Sequence, residues 1–113
     1  MDPNNPPLLP HHRLAIYGTA RKLLRLVGRR PIGDSDLRRQ AIRAAQSVVL
    51  NIAEGSAYDG AAEKRHFRIA RASAIEVAAA YEIAADSGES VPEHEVLVLV
   101  GHVYAVMTTL TRR

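Results

Sequence analysis

The sequence contains no cysteine and no tryptophan, and it has one phenylalanine among 113 residues. The absence of cysteine excludes disulfide bonds and thiolate metal sites. Aromatic residues make up only 4% of the chain, so stacking platforms for single-stranded nucleic acid are scarce. The hydrophobic fraction is 47%, but much of it is alanine. Because alanine fills little volume, helices must approach one another closely or an oligomer must bury additional surface.

Long apolar runs and a secretory signal are also missing. The run Val96–Val100 is far shorter than the roughly 20 apolar residues that a membrane-spanning helix needs. The N-terminal segment lacks the basic region and the long apolar region of a signal peptide. We therefore expect a cytoplasmic protein without a membrane partner. A length of 113 residues suits one small domain.

Acidic residues are absent between Pro3 and Gly33, a stretch that carries six basic residues. Nearly all of the positive excess therefore lies on the first predicted helix, although the net charge of the chain is only +3. Such a stripe can attract phosphate backbones or an acidic partner, while a simple solvated helix face would give the same pattern. The residues predicted to contact nucleic acid are Arg13, Arg21, Lys22, Arg25, Arg29 and Arg30.

Apolar residues recur at spacings of three and four over four long segments, which predicts helices rather than strands. These helices are expected over residues 10–27, 34–55, 61–87 and 92–111. Asp34 or Ser35 is expected to cap the second helix and Gly88 to end the third.

The first helix has two expected rows, namely Ile16, Ala20, Leu23 and Val27 beside Leu14, Tyr17, Arg21 and Leu24. The third helix has an expected core row of Phe67, Ala70, Ala74, Val77, Tyr81 and Ala84 and a second row of Ile69, Ser73, Glu76, Ala80 and Ile83.

A flexible, proline-rich arm is expected over residues 1–9, before a domain at 10–113. Gly55 is predicted to end the second helix in a left-handed conformation. Short loops predict an all-α, antiparallel up-down-up-down four-helix bundle.

Polar residues interrupt the apolar pattern of the two central helices. They recur every three or four residues in the second helix, and they flank a second apolar row in the third. Buried charges need partners, so we expect the two stripes to face each other or a neighbouring subunit. Arginines would then hydrogen-bond to Glu54 and Glu76, although exposed pairs along one helix are an alternative. The predicted structural polar core comprises Arg43, Asn51, Glu54, Arg71, Ser73 and Glu76.

Patterns that would indicate an enzyme are weak or missing. Glu63 and His66 have the spacing that places two metal ligands on one helix face, but di-iron bundles need a second such motif and further carboxylates. No glycine-rich phosphate loop and no nucleophile motif occurs. We therefore expect a non-enzymatic protein without a cofactor, and a metal-binding bundle is the less favoured alternative.

The two central helices contain the blocks Gln40-x-x-Arg43-Ala44-Ala45-x-Ser47-x-x-x-Asn51-Ile52-Ala53-Glu54-Gly55 and Phe67-x-x-Ala70-Arg71-x-Ser73-x-x-Glu76. These two blocks resemble the sequence pattern of the 23S rRNA-intervening-sequence proteins. This family is in turn similar to the accessory variability determinant of diversity-generating retroelements.

The resemblance implies a four-helix bundle that assembles into a homopentamer. It also implies contact with RNA, or with a reverse transcriptase and nucleic acid, through a basic surface. The expected function is a non-enzymatic scaffold or adaptor that binds RNA, DNA or an acidic partner through the first helix without sequence specificity. A purely structural homo-oligomer is the alternative.

Overall fold

The computed structural model describes residues 2–113, and the regular structure in that range is helical throughout. Each α-helix packs against two neighbours, so that the four form a closed circle in chain order. The predicted all-α, antiparallel four-helix bundle is therefore confirmed. The elements are a 3-10 turn at Pro10–Arg13, followed by α1 (Ala15–Arg29), α2 (Ser35–Gly55), α3 (Gly60–Asp86) and α4 (Glu93–Thr111).

Local chemistry explains where several of the helices begin and end. The Asp34 side chain accepts a 2.9 Å hydrogen bond from the backbone N–H of Leu37, so it caps α2 as expected. Gly88 has φ +92° and ends the turn after α3. The first helix was expected to be continuous from residue 10, but Leu14 is extended at φ −91° and ψ 115°. This residue separates the 3-10 turn from α1.

One of the two predicted rows on α1 and the first predicted row on α3 are buried, whereas the other row on α1 is half-buried at Leu14, Tyr17 and Leu24 and exposed at Arg21. Ile16 and Leu23 represent the buried row on α1, and Phe67 and Tyr81 represent the buried row on α3.

The second row predicted on α3 is buried only in part, since Ala80 is 3% exposed but Ile69 and Ile83 are 38% and 53% exposed. Ile69 and Ile83 are therefore not core residues. These two residues lie on the outer side of α3, away from the centre of the bundle.

Gly55 serves close helix packing rather than a left-handed helix end. It is the last residue of α2, and the only glycines with positive φ in residues 2–113 are Gly60 and Gly88. A Cβ atom at position 55 would lie 2.6 Å from Cε1 of Phe67 and 3.1 Å from Cβ of His66. The prediction of a left-handed Gly55 is therefore wrong, and the glycine is needed because the Phe67 ring occupies the space of its side chain.

The loops at one end of the bundle are joined by a carboxylate. Glu89, which follows α3, accepts hydrogen bonds from the backbone N–H groups of Gly33 (2.5 Å) and Asp34 (3.4 Å). The carboxylate therefore lies at the N-terminal end of α2, where the helix dipole favours a negative charge. This contact fixes the loop between α1 and α2 against the loop between α3 and α4.

The Tyr81 hydroxyl connects α3 to the end of α1. It donates a 2.8 Å hydrogen bond to the carbonyl oxygen of Arg30, and the Val27 carbonyl lies 3.5 Å away. Replacing Tyr81 with phenylalanine should lower the free energy of unfolding by about 1–2 kcal/mol, because a carbonyl loses its partner. Chemical denaturation at neutral pH measures this loss. Tyr104→Phe, at a 45% exposed position, is the control and should change little.

The same tyrosine should make the fold sensitive to alkali. Burial raises the pKa of Tyr81 from 10.0 to about 12, and the Arg30 charge opposes this only partly. The folded chain thus holds the phenol proton more tightly than the unfolded chain does. Stability should be retained below pH 10 and should fall between pH 10 and 12, at a limiting rate of about 1.4 kcal/mol per pH unit. Tyr81→Phe should lack this part of the decline; an unchanged alkaline profile would contradict the assignment.

Candidate nucleic-acid interface and polar seam

The six basic residues predicted to contact nucleic acid are all exposed on the bundle. Arg21, Arg25 and Arg29 follow one another at four-residue spacing and form one row along α1. Lys22 widens this row toward α4, where it lines a groove between the two helices. We call these four residues the basic face of α1. The two remaining residues flank the helix at its two ends, namely Arg13 and Arg30.

The basic face of α1 has no acidic partner within 4.0 Å in the part of the chain that the structure describes. Arg21 lies with its guanidinium carbon 5.9 Å from the centre of the Tyr17 ring. Such a contact orders the arginine while leaving its charge in place. The face therefore presents cations that are available to a polyanion.

A groove of about 540 Å³ runs between the basic face of α1 and α4. Its apolar floor includes Leu26 of α1 with Val98 and Leu99 of α4. Cationic side chains of the basic face form one rim. Two titratable residues of α4, His94 and Glu95, line the other side.

A chain of polar contacts links α2 and α3, and we call it the polar seam. The hydroxyl oxygens of Ser47 and Ser73 lie 2.8 Å apart across the two helices. The Asn51 amide donates to the Ser47 carbonyl (2.9 Å) and to its hydroxyl (3.1 Å). The Asn51 Oδ1 atom accepts from Nδ1 of His66 at 3.0 Å. Asn51 and Ser73 were predicted as polar core residues, and the structure brings them together in this seam.

His66 is the seam residue that the sequence reasoning did not identify in this role. Its ring is 18% exposed and lies parallel to the Tyr58 ring, with centroids 5.5 Å apart and an interplanar angle of 6°. Its Nδ1 atom is also 3.6 Å from a carboxylate oxygen of Glu54. This pair is ionic only when the imidazole is protonated. The spacing of Glu54 and His66 across a helix–turn–helix connection could have suggested this contact.

The predicted ion pairs between arginines and Glu54 or Glu76 are wrong within the chain. Both carboxylates are exposed, and the only arginine paired with a carboxylate in residues 2–113 is Arg39, which contacts Asp36. Glu54 instead lies near the imidazole of His66. The outward position of the two carboxylates gives the physical reason, because water satisfies them without an arginine. Pairing with a neighbouring subunit, the other option, stays a prediction.

The two arginines of the predicted polar core lie apart from the seam. Arg43 is exposed on α2. Arg71 is half-buried and contacts α4 instead, where its guanidinium is 3.3 Å from the Thr108 hydroxyl and 5.9 Å from the centre of the Tyr104 ring. The six predicted polar core residues therefore divide into three groups. Asn51 and Ser73 belong to the polar seam, Arg71 contacts α4, and the exposed residues are Arg43, Glu54 and Glu76.

Asn51 should matter more to chain stability than its charged neighbour Glu54. Asn51→Ala removes three hydrogen bonds from a half-buried site and should cost about 1–2 kcal/mol. Glu54 is 59% exposed and lies near the C-terminal end of α2, where the helix dipole disfavours a negative charge. Glu54→Ala should therefore change stability by less than about 0.5 kcal/mol. Urea denaturation of both variants tests this order, and a larger loss for Glu54→Ala would contradict it.

Two further features bear on other kinds of function. No group of three or more potential metal ligands occurs among residues 2–113. By length and composition α4 could cross a membrane, although its uninterrupted apolar run Val96–Val100 is short. One such helix is weak support for a membrane span, because core helices of soluble bundles have the same character. In this protein α4 contributes Val96, Val103 and Met107 to the core.

Comparison with known proteins identifies a family for this arrangement. The model of the family described as 23S rRNA-intervening sequence protein matches residues 14–108, from the residue before α1 to the last turns of α4. Neither the curated proteins nor the solved structures contain a match.

Proposed function

The chain belongs to the 23S rRNA-intervening sequence protein family, and from this premise we propose that it is a non-enzymatic adaptor that binds nucleic acid through the basic face of α1. The observation that carries the proposal is the row of exposed cations at Arg21, Arg25 and Arg29. No carboxylate within the described residues neutralises them. Phosphate groups of a nucleic acid backbone are the complementary ligand.

The proposed binding is electrostatic and indifferent to sequence. From Arg21 to Arg29 the row is about 12 Å long, at 1.5 Å per residue. Arginine and lysine are the side chains that contact phosphates, whereas reading bases requires a fit to a groove or stacking on aromatic rings. Tyr17 lies next to the basic face, but the guanidinium of Arg21 is already placed over its ring, 5.9 Å from the ring centre. Backbone contacts therefore account for the whole of the proposed affinity.

Self-association is the second part of the proposal. Ile75 on α3 is 50% exposed, and Leu97 and Tyr104 on α4 are 37% and 45% exposed. The segment from Val96 to Thr111 contains no charged Asp, Glu, Lys or Arg residue. Charged residues are depleted at the centre of protein interfaces, so this surface suits contact between copies. A homopentamer would present five basic faces, and simultaneous contact would raise the apparent affinity.

Fluorescence anisotropy at stepped salt concentrations tests nucleic acid binding. The ligands are labelled RNA and DNA of several sequences, single-stranded and duplex. Four phosphate contacts predict that log K falls with log salt at a slope of about −3.6 for duplex DNA, with similar affinity for all sequences. Absence of binding at the lowest salt concentration would refute the nucleic acid proposal. That result would favour the alternative, a purely structural homo-oligomer.

Analytical ultracentrifugation tests the assembly separately. A pentamer of the 12.3 kDa chain should sediment with a mass of roughly 60 kDa. Ile75→Arg should shift the mass toward that of a single chain, because it places a charge on the apolar surface. A protein that remains at the mass of one chain at high concentration would refute self-association.

A further inference from the structure

The groove between α1 and α4 combines a cationic rim with an apolar floor, and binding to a nucleic acid backbone requires only the rim. Its floor is apolar, with Leu26, Val98 and Leu99, while one rim carries Lys22 and two arginines of the basic face. Val98 is 44% exposed in spite of its apolar side chain. A nucleic acid backbone gains nothing from such a floor, and the groove lining contains no Phe, Tyr or Trp, the residues that make the strongest stacking platforms for bases.

The same helix pair forms a second groove toward the start of α1. This second groove has a volume of about 380 Å³ and no Asp, Glu, Lys or Arg in its lining. Leu14 and Ile16 contribute from the α1 side, and Val106 and Leu110 contribute from α4. Together the two grooves follow α1 from residue 14 to residue 29, a distance of about 22 Å. The surface is therefore elongated, apolar along its floor, and cationic toward one end.

We infer that this elongated groove binds an acidic amphipathic α-helix of a partner protein. A helix of about four turns matches the length, and its apolar residues at i, i+3, i+4 and i+7 would lie on the floor. Carboxylates toward one end of that helix would pair with Lys22, Arg25 and Arg29. Glu95 on the opposite side disfavours acidic residues there and so orients the bound helix with its acidic side toward α1. The charge of the rim is the observation that selects an acidic partner.

This inference extends the proposed function, since it adds a protein ligand beside the nucleic acid ligand. The two ligands share the basic face of α1 but differ in their need for the apolar floor. Val98 lies in the apolar floor of the groove and is not part of the basic face of α1. Arg21 is part of the basic face but does not line the groove. Because Val98 and Arg21 are both exposed, neither Val98→Asp nor Arg21→Glu removes a core contact. These two variants therefore separate one ligand from the other.

The test measures binding of two synthetic peptides by fluorescence anisotropy. The first is an amphipathic helix of about 18 residues with leucines on one face and glutamates on the other. The second has the same composition, permuted so that the leucines no longer share a face. The wild-type protein should bind the first peptide at least about tenfold more tightly than the second. Equal binding of both peptides would overturn the inference, because charge alone would then explain the contact.

The variants distinguish failure of this inference from failure of the proposed function. Val98→Asp should weaken binding of the amphipathic peptide about tenfold or more and change RNA binding far less. Arg21→Glu should have the opposite pattern. RNA binding without selective peptide binding would refute the groove proposal alone, and RNA binding that responds to Val98→Asp as strongly as peptide binding would also refute it. A lower assembly mass of Val98→Asp would assign the groove to a second copy of the chain and refute the partner helix.

Discussion

Replacing Gly55 with alanine should destabilise the protein by about 1–3 kcal/mol, even though alanine is the better helix former. Helix propensity alone would favour alanine by about 1 kcal/mol. The new methyl carbon, however, would lie 2.6 Å from Cε1 and 2.8 Å from Cδ1 of Phe67. The Phe67 side chain is only 2% exposed, so its ring cannot move aside into solvent. The steric cost should therefore exceed the gain in propensity.

Gly18→Ala is the matched control for this prediction. Gly18 lies within α1, is exposed, and has no atom within 4 Å of the position of an added Cβ. Alanine there should raise stability by about 0.5–1 kcal/mol. Thermal and chemical denaturation of both variants give the comparison. Equal effects of the two substitutions would show that α2 and α3 do not approach each other as closely as described. Gly55→Val should enlarge the loss, since it adds two further methyl groups at the same contact.

Reversing two charges on α1 should weaken nucleic acid binding by about 100-fold or more at low salt. Arg21→Glu and Arg25→Glu together remove two phosphate contacts and place two negative charges in the same row. The slope of log K against log salt should become shallower by about 1.8 units for duplex DNA. Both side chains are exposed, and neither has an acidic partner in the described part of the chain, so the fold should retain its stability.

A control with the same change in net charge isolates the position of the charges. Arg65→Glu with Arg68→Glu makes an equal change on the exposed side of α3. This control should retain most of the affinity, because the effect of charges at a distance is screened by salt. Similar losses for both double variants would mean that the total charge of the protein governs binding, and the assignment to α1 would fail.

The sequence predicted the four-helix bundle because apolar residues at spacings of three and four indicate a helix and also lie on one side of it. That side is the one that packs into the core. The row from Phe67 to Ala84 predicts a buried face of α3, and all of its members are buried. Asp34 and Gly88 likewise act at helix ends as local chemistry predicts. Gly55 illustrates the limit, since a glycine after an apolar segment indicates a helix end, while the reason for it here is a ring from the next helix.

The candidate sites were harder to predict because exposure depends on all four helices. The charge stripe of α1 follows from its composition, and all of its residues are exposed. The groove beside it requires α4, whose position the sequence of α1 does not give. In the polar seam, Asn51 was identified, but its partner His66 was considered only as a metal ligand. Local spacing favours partners on one helix, whereas this contact crosses two helices.

Cross-linking of the protein to bound RNA, followed by mass spectrometry, tests the central claim most directly. Cleavage at acidic residues would release the first helix within one peptide, because no Asp or Glu occurs between Pro3 and Gly33. We predict that this peptide carries most of the cross-linked nucleotide, at residues of α1. Cross-links concentrated on α2 or α3 would contradict the account, since nucleic acid would then bind somewhere other than the basic face of α1.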